Sequence, residues 1–280
     1  MNRKAVFFDI DGTIWDGYCK IPESTVNAIR KLRENGHYAF ICSGRGRANI
    51  CDKKLFDIGF DGLIASCGTH VEIDDKIIYE KFIDDSLVKE IVEQVQIHKL
   101  PTVLEGPTKH WISDWGFKND KYVDDLFKIL GDNAVVLKEY SDDIRINKFS
   151  ADILICSEYS TFKSKMEKYF DFIEHDIRTE LLLKIAEDTD PYKILGLFEA
   201  VPKGMNKAVG MQKIMEYMSL ERDDTFAIGD SPNDLDMIQY AGHGIAMGNA
   251  AQSVKDVAEF VTTHIYEDGI QNALQHYGLI

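Results

Sequence analysis

The sequence predicts an α/β protein built on a doubly wound, mainly parallel sheet, with an inserted α+β domain. Three observations carry this. Ala5 to Phe8 is an apolar run bounded by turn residues, the pattern of a buried strand ending at Asp9. Pro22 to Asn35 and His37 to Cys42 follow as helix and strand, which completes a βαβ unit and so implies parallel strands. The last third of the chain returns to the same rhythm after a long stretch that lacks it.

Each element has its own signals. In the first helix Val26, Ile29 and Leu32 share a face, Pro22 stands near the first turn and Gly36 lies just past the end. The second strand stops at the small-residue turn Ser43-Gly44-Arg45-Gly46, which leads to another helix. A short strand from Gly62 ends at Cys67-Gly68-Thr69, and a hairpin-like piece over Glu72 to Phe82 turns at Asp74-Asp75. From Asp84 the pattern changes. Leu87, Val88, Ile91, Val92 and Val95 predict one amphipathic helix, Tyr122 to Leu130 a second, and Phe162, Met166, Tyr169 and Phe170 a third. Strand-like runs at Thr102 to Leu104, Phe149 to Cys156 and Leu181 to Ala186 separate them. This predicts an insert over 84–189, with Glu187 to Pro191 as the linker back to a core made of 1–83 and 190–280. A strand from Ile194 to Val201 then leads through Pro202-Lys203-Gly204 into a helix near Asn206. Thr225 to Ile228 is a short buried strand, Ser231-Pro232 opens the next helix, and Gly244 to Met247 and Phe260 to Thr263 close the sheet.

Composition narrows the partners. A chain of 280 residues with a formal net charge of −15 gives little to attract a nucleic-acid backbone or an anionic membrane. An anionic substrate then requires a metal ion or a few placed cations. The five cysteines form no C-x-x-C pair, and their odd number and wide spacing predict reduced thiols and a cytoplasmic place. No signal-peptide core and no membrane-spanning apolar stretch is present.

The chemistry gathers at predicted strand ends. Open α/β sheets bind ligands at the carboxyl ends of their parallel strands, and Asp9, Ser43 and Asp230 all fall there. Asp9 and Asp11, one residue apart at the tip of a buried strand, repel each other unless a cation binds them; a plain Asp-Gly turn is the competing explanation. With Asp230 they make the oxygen-only set that hard cations prefer, although Asp230 also suits a strand-end turn. Lys207 sits in the first turn of a predicted helix, where an anion is favoured and a cation is not, so it is read as neutralising a phosphate unless it is merely solvated. Lys203, in the preceding loop, ranks second. Asn233 offers an amide donor, and Ser43 with the Gly44 N–H offers another pair. Asp234 suits helix capping as well as it suits function. The histidines, among them His70, His98, His110 and His175, form no metal-binding motif. Neither a serine-hydrolase elbow nor a P-loop is present.

Taken together, Asp9-Ile10-Asp11-Gly12-Thr13, Ser43-Gly44-Arg45, Lys207 after Pro-Lys-Gly, and Gly229-Asp230-Ser231-Pro232-Asn233-Asp234 resemble the four ordered motifs of haloacid dehalogenase-like (HAD) phosphatases. The insert and the terminal Glu267-Asp268-Gly269 are similar to the Cof-type subgroup with a type IIB (C2B) cap. The resemblance implies a Rossmannoid core and a magnesium-dependent phosphatase of small phosphorylated metabolites, the cap closing over the leaving group. It implies Asp9 as nucleophile through an aspartyl phosphate, and Asp11 as acid and base. Mg²⁺ would be held by Asp9, the main-chain oxygen of Asp11 and Asp230, with Asp234 in support. The phosphoryl group would be held by Ser43, Gly44, Arg45, Lys207 and Asn233. Cys67 stands where many such proteins carry Asn, which bears on leaving-group preference. In the insert Lys109, His110, Trp111 and Trp115 are candidates for lining the cleft, with packing as the competing role. A phosphomutase or phosphotransferase using the same aspartyl phosphate, and a non-catalytic phospholigand-binding protein, are the alternative readings.

Overall fold

The computed structural model describes residues 3–153, 156, 158–176 and 196–280. Its strands in chain order are β1 Ala5–Phe8, β2 Tyr38–Cys42, β3 Gly62–Ala65, β4 His70–Ile73, β5 Lys76–Glu80, β6 Thr102–Glu105, β7 His110–Ser113, β8 Ala134–Leu137, β9 Lys148–Asp152, β10 Phe170–Asp176, β11 Gly196–Pro202, β12 Thr225–Gly229, β13 His243–Ala246 and β14 Phe260–Val261. They form two sheets, and the chain divides into two compact units: 1–45, 50–80 and 205–280 in the first, 46–49 and 81–204 in the second.

The first unit holds an eight-stranded sheet in the order β14-β13-β12-β1-β2-β3-β4-β5. The six strands from β14 to β3 run parallel, and β4 and β5 add an antiparallel hairpin edge. Strand β1 is buried over its whole length, as a parallel strand covered on both faces must be. The chain moves from β1 to β2 and β3 on one side and later returns to place β12 on the other, so β1 and β12 flank the topological switch point. Register then decides what meets there. Phe8 pairs with Ile228 and with Ile41, which brings Asp9, Asp230 and Ser43 to the same end of the sheet. Helix α1, Glu23–Glu34, buries Ala28, Ile29 and Leu32 as its apolar spacing requires.

In the second unit the sheet order is β10-β11-β9-β6-β7-β8. Only β7 and β8 are parallel in it. Helix α2, Lys53–Phe56, belongs to the first unit; in the second, α3 is Asp85–Ile97, α4 Asp114–Asn119, α5 Lys121–Leu130 and α6 Tyr159–Met166. On one face Val88, Ile91, Val92 and Val95 of α3 join Phe149, Phe162, Phe170 and Phe198 in a core. Phe149 meets the rings of Phe162, Phe170 and Phe198 edge-on at 5.1–6.0 Å. Val123 of α5 packs with Val103 and Ile112 in a smaller cluster.

Two expectations are corrected. The strand expected to start the returning core is β11, and it lies in the second sheet, antiparallel to β10 and β9. The second unit therefore runs to Gly204, with its boundaries at 80/81 and 204/205 in place of 83/84 and 189/190. The third helix ends at Met166. Tyr169 and Phe170 keep its apolar spacing, but Phe170 pairs with Pro202 as the first residue of β10. Pairing across the sheet overrides a local period. Strands β7 and β8 and helix α4 lacked a sequence reading, while Leu181 to Ala186 and Glu187 to Pro191 lie outside the described residues.

Phe149→Ala empties a ring-lined position, and the expected cost is about 3–5 kcal/mol of stability, measured by denaturant unfolding.

Candidate active site

Asp9 follows β1 and is almost wholly buried, and its N–H donates to Ile228 O at 2.9 Å. Lys207 is the first residue of α7, Lys207–Met218, whose start is capped by Asn206 Oδ1 accepting from Val209 N–H at 3.0 Å. The Lys207 side chain is 1% exposed and reaches back to the strand end. Its Nζ donates to Asp9 Oδ1 at 2.6 Å, to the Asp234 carboxylate, and at 3.4 Å to Asn233 Oδ1.

Asp230 is the residue after β12, and Asp234 closes a short 3₁₀ turn, Pro232–Asp234, before α8, Leu235–Tyr240. Both Asp234 oxygens are engaged. One takes Lys207; Oδ2 accepts the N–H groups of Asp230 at 2.9 Å and Ser231 at 3.0 Å, in a capping box with Ser231. The capping reading of Asp234 thus holds, and the same residue positions the lysine. Asp230 Oδ1 accepts from Thr13 Oγ1 at 3.2 Å. Gly12, at φ +82°, lets the loop after β1 close on Asp230, since a Cβ there would lie 2.2 Å from Asp230 Oδ2.

One oxygen from each of Asp9, Asp230 and Asp234 lies within 4.8 Å of the others. Counted as fully ionised, three carboxylates against one ammonium give this pocket a formal excess of two negative charges. Burial, then repulsion from Asp234, pushes the Asp9 carboxyl well above its ordinary range, with Lys207 opposing. Burial and Asp234 push Asp230 up to about 7. Burial alone would lower Lys207, but Asp234 and Asp9 outweigh it and hold the ammonium charged. An all-oxygen donor set with an excess of two charges fits a hard divalent cation. Asp9 and Asp230 can hold one, and Asp234 fixes the loop that carries Asp230.

Asp11 is placed differently. Its side chain is 52% exposed, and its carboxylate accepts a bidentate pair from Arg45, Nε and Nη2 each at 2.7 Å, and Trp15 Nε1 at 2.9 Å. The Arg45 guanidinium lies 5.1 Å from the Trp15 ring centre. Burial acts to raise the Asp11 carboxyl, but the Arg45 hydrogen bonds and charge, helped by Trp15, win and lower it. Arg45, expected on a substrate phosphate, is here the counter-ion of Asp11. Ser43 is buried, its Oγ accepting the Arg45 N–H at 3.1 Å, and Gly44 beside it is buried as well. Asn233 Oδ1 accepts from Ser231 Oγ at 2.6 Å.

Sequence reasoning missed Trp15, the anchoring role of Thr13, and Asn249. Asn249 donates to Gly12 O at 2.7 Å and accepts the Ile265 N–H at 3.1 Å, tying the loop after β1 to the turn that precedes Glu267-Asp268-Gly269. Its place in Met-Gly-Asn-Ala, directly after β13, was the available signal. In the second unit Trp111 is core, Lys109 is exposed and Trp115 is half-buried. His110 is buried, which lowers its pKa, and its Nε2 stands 3.7 Å from Glu105 Oε2. Glu105, Lys148, Glu199 and Ser150 form a buried polar group on the same sheet: Lys148 pairs with Glu199 and lies 3.3 Å from Glu105, and Ser150 Oγ donates to Glu105 at 2.8 Å.

A parallel α/β sheet with acidic side chains and a buried lysine at its switch point is a doubly wound fold with its polar site where that class binds ligands. The family model of haloacid dehalogenase-like hydrolases matches residues 6–274, and the chain belongs to that family. It is 30% identical to YkrA of Bacillus subtilis over 100% of both chains. It is 27% identical to 5-amino-6-(5-phospho-D-ribitylamino)uracil phosphatase YitU of the same organism, over 97% of this chain and 96% of that one. A solved protein of Geobacillus kaustophilus superposes with a TM-score of 0.80 at 26% identity over 100% of both chains. The subclass IIB sugar phosphatase BT4131 superposes with a TM-score of 0.76 at 24% identity, over 99% of this chain and 100% of that one, and shows the shared fold. The chain is accordingly a HAD-type phosphatase of the Cof group.

Protons and a divalent cation would compete for these carboxylates. A folded-state value of about 7 for Asp230 means that the folded protein binds a proton the unfolded chain releases near pH 4, so this group's stabilisation is lost as pH rises through 7. The rise in Tm on adding about 5–10 mM Mg²⁺ should therefore be larger at pH 8 than at pH 5, by differential scanning fluorimetry.

Proposed function

We propose that this chain is a Mg²⁺-dependent phosphatase of small phosphorylated metabolites that works through an aspartyl phosphate on Asp9. The observation that carries the reading is Asp9 itself: a buried carboxylate at the switch point, held on one oxygen by Lys207 at 2.6 Å, within a pocket two negative charges in excess. The bound ion would neutralise oxygens of the transferring group. Asp9 supplies the attacking oxygen. As the ester P–O bond breaks, Asp11 gives its proton to the leaving oxygen; it then takes one from the water that attacks phosphorus, releasing inorganic phosphate and restoring Asp9.

Asp11 can act as an acid only after it is freed from Arg45, whose pairing holds it ionised. The phosphoryl oxygens of a substrate are the natural competitor for that guanidinium, which joins the phosphate role expected of Arg45 to its pairing with Asp11 in one exchange. Lys207, Ser43, the Gly44 N–H and Asn233 then hold the remaining oxygens, the alignment and charge neutralisation that phosphoryl transfer needs. The second unit is read as the cap that selects the leaving group. The names of YitU and BT4131 point to phosphorylated polyol and sugar chains. No disulfide joins the described cysteines and no described helix is long and apolar enough to cross a membrane, which accords with a cytoplasmic place.

Asp9→Asn should lower phosphate release from an aryl phosphate by about 10³-fold or more, and Asp11→Asn by about 10²–10⁴-fold, in a discontinuous phosphate assay; full turnover by Asp9→Asn rejects it as nucleophile. A panel of phosphorylated polyols, sugars, nucleotides and cofactors assayed with Mg²⁺ should release free phosphate. An isomerised sugar phosphate without free phosphate would instead identify a mutase.

A further inference from the structure

Three consecutive residues after β3 have left-handed backbone: Ser66 at φ 50°, Cys67 at φ 53° and Gly68 at φ 89°. For two residues with side chains in succession this is costly, and such backbone persists only where its surroundings impose it. Side-chain bonding does not explain it at Ser66, whose buried Oγ has no hydrogen-bond partner among the described residues. The backbone contacts do. Ser66 N–H donates to Arg45 O at 2.8 Å and Cys67 N–H to Ser43 O at 3.3 Å, so the turn holds the loop Ser43-Gly44-Arg45 by two carbonyls. On its other side Gly68 presses on the start of α7, where a Cβ would lie 2.0 Å from Asn206 O, the residue before Lys207. Thr69 closes the turn, its Oγ1 donating to Ser66 O at 2.8 Å.

We propose that Ser66–Thr69 is a positioning turn: its left-handed backbone sets the Ser43–Arg45 loop against the Lys207 helix, and the defining requirement at Cys67 is its backbone angle. The inference rests on the reading of these residues as the phosphoryl-binding set. It assigns no contact between Cys67 and substrate. The turn acts through the carbonyls it holds, which fix the direction of the neighbouring N–H groups and of the Arg45 side chain.

The test compares Cys67→Gly with Cys67→Val. Both remove the thiol, but only glycine holds φ near 53° without strain, and a β-branched residue resists it. Binding of inorganic phosphate with Mg²⁺ is measured by calorimetry, KM and kcat with an aryl phosphate, and folding by circular dichroism and Tm. Cys67→Gly should stay within about threefold of the unmodified protein in phosphate affinity and KM. Cys67→Val should lose about tenfold or more in both, with smaller change in kcat, at temperatures where it is fully folded. Should Cys67→Val not fold, Thr69→Val, which removes the side-chain bond to Ser66 O and keeps the Thr69 N–H bond to it at 3.3 Å, is expected to weaken phosphate binding about threefold with little change in Tm. Equal losses in the Gly and Val variants, or unmodified phosphate affinity in a folded Cys67→Val or Thr69→Val, overturn the proposal. Phosphate binding without turnover in the unmodified protein would reject the phosphatase reading alone; no phosphate binding would reject both.

Discussion

The structure of the first unit depends on one buried cation. Lys207 lies among Asp9, Asp234 and Asn233 with almost no access to water, and a buried ammonium is tolerable only with partners in place. Removing one partner of such a group typically costs about 3–5 kcal/mol, because the remaining charge is left without compensation. The contact therefore ties three distant stretches together: the end of β1, the first turn of α7 and the loop after β12. It leaves the pocket with more negative than positive charge, which raises the Asp9 and Asp230 carboxyls and makes a divalent cation the economical complement.

A second ion pair stands beside the first and behaves by different rules. Asp11 and Arg45 are partly exposed, at 52% and 29% of their side chains, so water competes for both. Pairs of that kind contribute about 0–1 kcal/mol and exchange readily. Two acids with a single residue between them thus receive two environments. Asp9 is fixed by a buried lysine, and Asp11 is held by an arginine that can be drawn away. That difference suits a nucleophile that must stay put and a proton carrier that must change state.

The second unit shows what local patterning leaves unread. Its sheet carries Glu105, Lys148 and Glu199 in buried positions, so charged residues alternate into an interior where an apolar pattern is expected. β7 and β8 are four residues long and β7 begins with a buried histidine, too short a span for periodicity to register. β11 reads locally as a returning core strand, and only its pairing with β10 and β9 assigns it to the other sheet.

What the sequence determined by itself was the set of chemical groups and the kind of fold that collects them. The apolar run before Asp9, the βαβ spacing and the small-residue turns at Ser43 and Gly229 state a parallel sheet with acids at its strand ends, because those signals are local. Tertiary structure alone decided the pairings. Which acid takes Lys207, that Arg45 holds Asp11, that Asn249 braces Gly12 and that Ser66 and Cys67 turn left-handed all follow from contacts between residues far apart in the chain. No window of sequence contains both partners of such a contact, and the energy that selects it appears only once the sheet has brought them within hydrogen-bonding distance.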